Sequence, residues 1–428
     1  MKTFLFAVGC FTCTVGIASQ STPSPVNRTT VATQPGFSAA NAVNALGIEL
    51  LRRTATSNAN ALLSPYSIQS ALSMVYAGAE GDTCLEMMKV LHYPTNDTEL
   101  HNSFARLRVA LGAVVQKSLK ETEQSKKRGE ENDPVTLIVA NRLFGQKGYK
   151  FRQPFLRWVE NIYGATFQQL DFDKDSSGAT KRINEWVENQ TQQRIRNPIP
   201  EGALIDLTRL VVVNAIYLKA PWAHEFEESG TTLRPFHAAG GEPVTVPTMT
   251  TEHHLGYSKR DGFSTVAIPY RGGDIQFLIL LPEKVNGLAE LETKLTASLL
   301  RECANLAEQE VILRLPKFKL EPSVLPLSKK LQGLGMRSAF DQPKGSANFD
   351  RIAPRRPNEY LWISEVFHKA FLKVDEKGTE AAAAASSFAA LGIPPRPVEV
   401  KVDHPFLFAV QHRQSGACLF LGQVVDPR

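Results

Sequence analysis

Cysteine is scarce in this chain, five in 428 residues, and its placement excludes more than its number. Cys10 and Cys13 fall in an apolar N-terminal stretch, which leaves Cys84, Cys303 and Cys418, an odd set at wide spacing. A disulfide framework therefore does not hold this fold, and small buried thiols are expected instead. Excess charge of one sign is missing too. The 48 basic and 43 acidic residues leave a net charge of +5, spread along the chain, so composition gives nucleic-acid binding no support. Beyond the N-terminus no apolar run is long enough to cross a bilayer, and no membrane span is expected. No internal repeat of fixed period occurs, which sets aside solenoids and propellers.

Catalytic signatures are also lacking. There is no Gly-x-Ser-x-Gly elbow, no phosphate-binding Gly-x-x-x-x-Gly-Lys-Ser/Thr loop and no His-Glu-x-x-His helix, so the chain does not read as an enzyme. His253-His254 could offer metal ligands, but adjacent residues point to different faces and no third ligand stands at a telling spacing. The pair reads as a surface feature, and neither metal nor cofactor is expected.

What is present begins at Met1 to Gln20, where Lys2, an apolar stretch from Phe4 to Ile17 and the small residues around Gly16 and Ala18 form a secretory signal pattern. Residues 1–18 are expected to be removed, making the protein secreted and extracellular. Residues 19–36, rich in Ser, Thr and Pro without a hydrophobic period, read as a disordered leader. Asn27, Asn96 and Asn189 each open a glycosylation sequon, usable if the source is eukaryotic.

From residue 37 the pattern becomes that of a folded body. Ala40, Val43, Leu46, Ile48, Leu50 and Leu51 recur at helical spacing, as do Ile68, Leu72, Val75 and Tyr76 after Ser64-Pro65. Residues 116–134 form a polar insert, expected as a solvated loop between helices. Its Lys117, Lys120, Lys126, Lys127 and Arg128 suggest a polyanion site, but Glu121, Glu123, Glu130 and Glu131 cancel most of the field, so any such binding is expected to be weak. Strands are expected at Thr136 to Val139, Leu210 to Tyr217, Thr265 to Ile268, Gln276 to Leu281, Val311 to Leu315 and Leu419 to Val425. Helices come early and strands dominate later, which points to an α+β body on large, mainly antiparallel sheets.

One segment stands apart. From Glu376 to Phe388 the chain reads Glu-Lys-Gly-Thr-Glu, five alanines, Ser-Ser-Phe, with no proline and little charge. If extended, it sets Thr379, Ala381, Ala383, Ala385 and Ser387 on one face and Glu380, Ala382, Ala384 and Ser386 on the other. Such a run fits a helical turn, a flexible linker or a strand able to slide between two others.

With its flanks, the chain resembles the serpin family over nearly its whole length. The resemblance rests on Asn60 to Gly81 with Ser64-Pro65-Tyr66-Ser67-Ile68; on Ala140 to Phe144; on Ile183 to Val187; and on Val213 to Lys219 followed by Trp222. It continues through Leu315-Pro316-Lys317-Phe318, Leu334-Gly335-Met336, Ile363 to Lys369 and Asp403 to Phe408. Ala220 departs from the pattern, because the family usually has glycine there; alanine is acceptable unless the backbone has a positive φ.

The resemblance implies a single serpin domain over 37–428, a large central sheet with further sheets and surrounding helices, and an exposed reactive-centre loop at 376–400. It implies a monomeric suicide-substrate inhibitor of serine, and in some members cysteine, proteases, with carrier, storage or chaperone roles as the non-inhibitory alternative. Ser64, Ser67, Asn214 and His368 would line the region where the sheet parts, with Trp222 near its top. Glu376, Gly378, Thr379, Glu380, Ala381, Ala382 and Ala383 would form the hinge, whose small residues suit an inhibitor. The family's usual spacing from Glu376 puts the scissile bond between Gly392 and Ile393, with Leu391–Gly392 as the alternative. Chymotrypsin-, elastase- or subtilisin-like targets would follow.

Overall fold

A computed structural model describes residues 38–129, 132–239, 241–356, 359–379 and 396–428, without the side chains of Ala140 and Asn214. The leader, the sequon at Asn27, Glu380, the alanine run and both candidate scissile bonds lie outside the described residues.

The first two helices form where hydrophobic spacing and end chemistry agree. Ala39–Thr54 buries the stripe from Ala39 to Leu51 and ends on Arg52 and Arg53, which complement its C-terminal carbonyls. Pro65–Tyr76 starts on Ser64, whose side chain accepts from the Ser67 amide, with proline at its first position. These helices pack on the Ala417–Val424 strand inside a continuous hydrophobic core.

That core is built on a nine-stranded sheet. Its main path runs Ala61–Leu63, Ala417–Val424, Phe406–His412, Ile275–Pro282, Phe263–Pro269, Val244–Arg260, Glu308–Pro316 and Val398–Lys401, with Thr232–Phe236 joined to Val244–Arg260. Only Val398–Lys401 pairs in parallel, against Glu308–Pro316. The adjacent interior strands Ile275–Pro282 and Phe406–His412 are buried throughout, the mark of a sheet covered on two faces there.

A four-stranded sheet carries Thr166–Leu170, Thr136–Gln146, Leu210–Pro221 and Gly378–Thr379, in that order. The helix Ser176–Gln190 lies against it through a second apolar cluster, in which Ile183 and Val187 meet Phe144, Val213 and Ala215. The expected α+β class is what the chain adopts, and each expected strand lies in or largely within an observed one.

The polar insert is a correction. Residues up to Lys127 are helical, in a 31-residue helix from Asp97 to Lys127, and the next element is the Thr136–Gln146 strand rather than another helix. Asn96 caps the helix by accepting from the Glu99 amide, Asp97 and Glu99 sit at its positive end, and Lys126 and Lys127 at its negative end. Leu111, Val114, Ser118 and Thr122 continue a buried stripe through the charged region, so tertiary packing overrides its loop-like composition.

Candidate functional site: a gap in the four-stranded sheet

Below Ala220 the outer edge of the Leu210–Pro221 strand has no ladder partner among the described residues. Opposite lie Phe367–His368 and Leu372–Val374, which pair only on their far side, with Leu325–Pro326 and Phe318–Leu320. Between these edges runs a narrow cleft of ≈ 130 Å³. One wall is Leu210 to Val213 and Ala215, the other Leu361 to Lys369. Its floor is the buried face of the helix Pro65–Tyr76, including Ser67, Ile68 and Leu72, while Val187 and Ile199 come from the helix and following segment over the sheet.

The upper end shows how wide the gap is. Asp375 and Gly378 exchange main-chain hydrogen bonds of 3.1 and 3.2 Å, turning the chain back on itself at Glu376-Lys377. Gly378 and Thr379 then pair antiparallel with Pro221 and Ala220. A two-residue strand thus fills the space between the Leu210–Pro221 strand and Asp375, and the gap below continues along its path. At this upper end the space is one strand wide.

Several side chains hold this turn. Trp222 is fully buried and stacks on Tyr270 with ring centroids 4.5 Å apart and 5° between planes. Its indole N–H donates to the Asp375 carbonyl at 2.9 Å, and its amide donates to the Lys377 carbonyl at 3.0 Å. The Phe226 amide donates to the Glu376 carbonyl at 2.9 Å, and the Tyr270 and Thr379 hydroxyls lie 2.8 Å apart. Lys317 pairs with the Glu376 carboxylate at 2.7 Å, and the Thr231 hydroxyl donates to it at 2.8 Å. Burial pushes that carboxyl's pKa up, but these donors outweigh it and hold the group below its ordinary value. Gly378 is obligatory here, because φ is 140° and a Cβ would collide with the Ala220 carbonyl oxygen.

Over residues 41–427 the sequence matches the family described as serpin, serine protease inhibitor. The chain is a serpin. It is 34% identical to human (Homo sapiens) serpin B10 over 418 residues, covering 91% of this chain and 100% of that protein. Human leukocyte elastase inhibitor is likewise 34% identical, over 400 residues, with 91% and 99% covered. Among solved structures, cleaved serpin 42Da aligns with a TM-score of 0.75 at 29% identity, covering 91% of this chain and 98% of that one.

This serpin brings three of the sequence candidates together at the middle of the gap. The Ser64 amide donates to His368 Nε2 at 3.0 Å, which fixes the imidazole as neutral with its proton on Nδ1. The Ser64 hydroxyl donates to the Leu419 carbonyl at 2.7 Å and accepts from the Ser67 amide at 3.3 Å. His368 is thereby tied to the helix under the gap, and that helix to the nine-stranded sheet. Burial pushes the His368 pKa down to about 4. Asn214 stands in the strand wall, opposite Asn141 in the ladder. Trp222 lies apart, at the upper end.

Ala220 adopts ordinary extended backbone without a positive φ, so the alanine is accommodated. Tyr270, Lys317, Thr231, Phe226 and Asp375 were not singled out from sequence. Only Lys317 carried a signal, its place within Leu315-Pro316-Lys317-Phe318. His253 is not a plain surface residue, since its ring stacks on His224 at 4.5 Å, while His254 is exposed. Asn96 and Asn189 are exposed. Cys84, Cys303 and Cys418 are all free thiols.

Proposed function

We propose that this serpin is a secreted suicide-substrate inhibitor of endopeptidases, acting on a serine protease, with cysteine proteases as a further class. The loop after Thr379 offers a bond, at Gly392–Ile393 or Leu391–Gly392, to a chymotrypsin-, elastase- or subtilisin-like protease. Once the bond is cut, the hinge runs down the gap as a new strand and carries the acyl-linked protease with it. Secretion rests on the signal pattern of residues 1–18.

The observation that carries this reading is the edge of the Leu210–Pro221 strand, unpaired among the described residues and facing the cleft, with Gly378 and Thr379 already docked at its upper end. The Leu210–Pro221 wall has 12 residues, so a strand filling it extends about 40 Å. At on the order of 1 kcal/mol net for each new ladder hydrogen bond, insertion supplies roughly 10 kcal/mol or more. That exceeds the roughly 3–4 kcal/mol that one oxyanion-hole donor contributes to a protease, so distorting that site is within reach. Small side chains at Ala381, Ala382 and Ala383 let the strand pass. Polyanion binding at the cations of the helix Asp97–Lys127 would be weak, since Glu121 and Glu123 are interleaved with them and Lys117 is paired with Asp274 at 2.7 Å.

The test is incubation with chymotrypsin-, elastase-, subtilisin- and papain-like proteases. The expected results are an SDS-stable complex with at least one of them and a higher melting temperature after loop cleavage. Ala382→Pro, which removes a ladder donor, should turn the protein into a substrate. Cleavage that leaves every protease active and melting unchanged would refute inhibition and favour a carrier, storage or chaperone role.

A further inference from the structure

A second cleft, of ≈ 680 Å³, opens between the start of the helix Asp97–Lys127, the helix Gln153–Tyr163 and the segment at Asp350-Arg351. Its volume falls within the roughly 300–1,000 Å³ of small-molecule sites. One side is aromatic, with Phe155 buried and Trp158 half-buried. His101 lines the same side, its ring edge-on to Trp158 with centroids 4.4 Å apart. The imidazole is held by the Tyr163 hydroxyl at 2.8 Å, and burial pushes its pKa down to about 4, so it adds a flat neutral surface near pH 7.

The rim carries Glu80, Asp97 and Asp350 against Arg152 and Arg351, so what distinguishes it is how each charge is engaged rather than a net positive field. Glu80 is taken by Arg351 at 3.1 Å, and Asp97 accepts from the Tyr76 hydroxyl at 2.8 Å with Arg351 at 3.9 Å. Arg152 differs. Its Nε donates to the Asp350 main-chain oxygen at 2.6 Å, but among the described residues no carboxylate lies within ion-pair distance of it. The cleft thus combines an aromatic wall with an exposed guanidinium that no carboxylate among the described residues engages. A guanidinium of this kind binds a carboxylate in bidentate fashion, while an indole face accepts a planar ring.

We propose that this cleft binds a small aromatic carboxylate, with Arg152 taking the acid group and Trp158 and Phe155 the ring. The site is separate from the gap in the sheet, so the claim stands or falls independently of protease inhibition.

Calorimetric titration of the full chain with 2-naphthoate tests it, with 2-naphthamide as the neutral counterpart. Saturable binding of the acid is expected, at least tenfold tighter than that of the amide. Arg152→Gln should weaken the acid at least tenfold while leaving the amide within threefold. Arg152→Lys, which keeps the charge, should recover part of the acid affinity. Arg152 is exposed, so these variants should melt with the parent protein, and Trp158→Leu adds a loss of affinity for both probes. No saturable binding at millimolar acid, equal affinity for acid and amide, or an Arg152→Gln variant that binds like the parent would overturn the proposal.

Discussion

Gly378→Ala puts the docked hinge to a direct test. The residue has φ = 140°, a conformation that side-chain-bearing residues adopt at a cost of about 1–3 kcal/mol. Space is the harder limit. An added Cβ would strike the Ala220 carbonyl oxygen and approach Pro221 Cα to 2.8 Å, and these are main-chain atoms of a paired strand that cannot swing aside. The turn must open, giving up both main-chain bonds between Asp375 and Gly378 and the Tyr270–Thr379 hydroxyl contact. Three hydrogen bonds, each contributing about 0.5–1.5 kcal/mol net, put the loss at about 2–4 kcal/mol. Hydrogen exchange followed by mass spectrometry over 372–379 and 218–226 reads it directly, and the loss corresponds to exchange about 30- to 1,000-fold faster at these amides. If the hinge is the leading end of an inserting strand, the variant should also consume more than one inhibitor per protease blocked. Exchange within threefold of the parent would refute the steric reasoning.

Three further outcomes follow from the same site. His368 has a pKa near 4 in the fold against 6.5 unfolded, so the unfolded chain binds the extra proton between these values; stability is intact above pH 6.5 and falls by about 3 kcal/mol as pH drops to about 4. Denaturant midpoints at pH 7 and pH 4.5 should show this loss in the parent and a smaller one in His368→Gln, and equal losses in the two would refute the assignment. Ser64→Ala strands the Leu419 carbonyl and uncaps the helix beneath the gap, costing about 1–3 kcal/mol in urea unfolding. Lys317→Met removes the cation from Glu376; because Lys317 is part-exposed the cost is about 1–2 kcal/mol, and a double-mutant cycle with Glu376→Gln should return a coupling above about 0.5 kcal/mol.

The sequence made the strands plain because runs such as Gln276 to Leu281 are apolar throughout and bounded by turn residues. Ser64 and His368, 304 positions apart, were matched only through the family resemblance, since periodicity carries no information about such a contact. The helix through Lys127 was misread because its solvent face is dense in charge, while the buried positions that hold it include Ser118 and Thr122, which do not register as apolar. At the turn Asp375–Gly378 the resemblance supplied Glu376, Gly378 and Trp222, but the chain reversal itself was not legible. It depends on Tyr270, Thr231 and Lys317, which three distant segments deliver to one place, and on the Ala220 carbonyl that only glycine can approach.

That small turn changes what kind of process filling the gap would be. Starting a new strand is ordinarily the slow part, because chain entropy is lost before any ladder bond compensates. Here the reversal is already made and the register already chosen, with Thr379 opposite Ala220. On the proposed mechanism, a strand extending from this point would advance residue by residue like a closing zipper. Its rate would then be governed by how readily the Ser64–His368 contact and the overlying helix Ser176–Gln190 give way, rather than by any search for a partner.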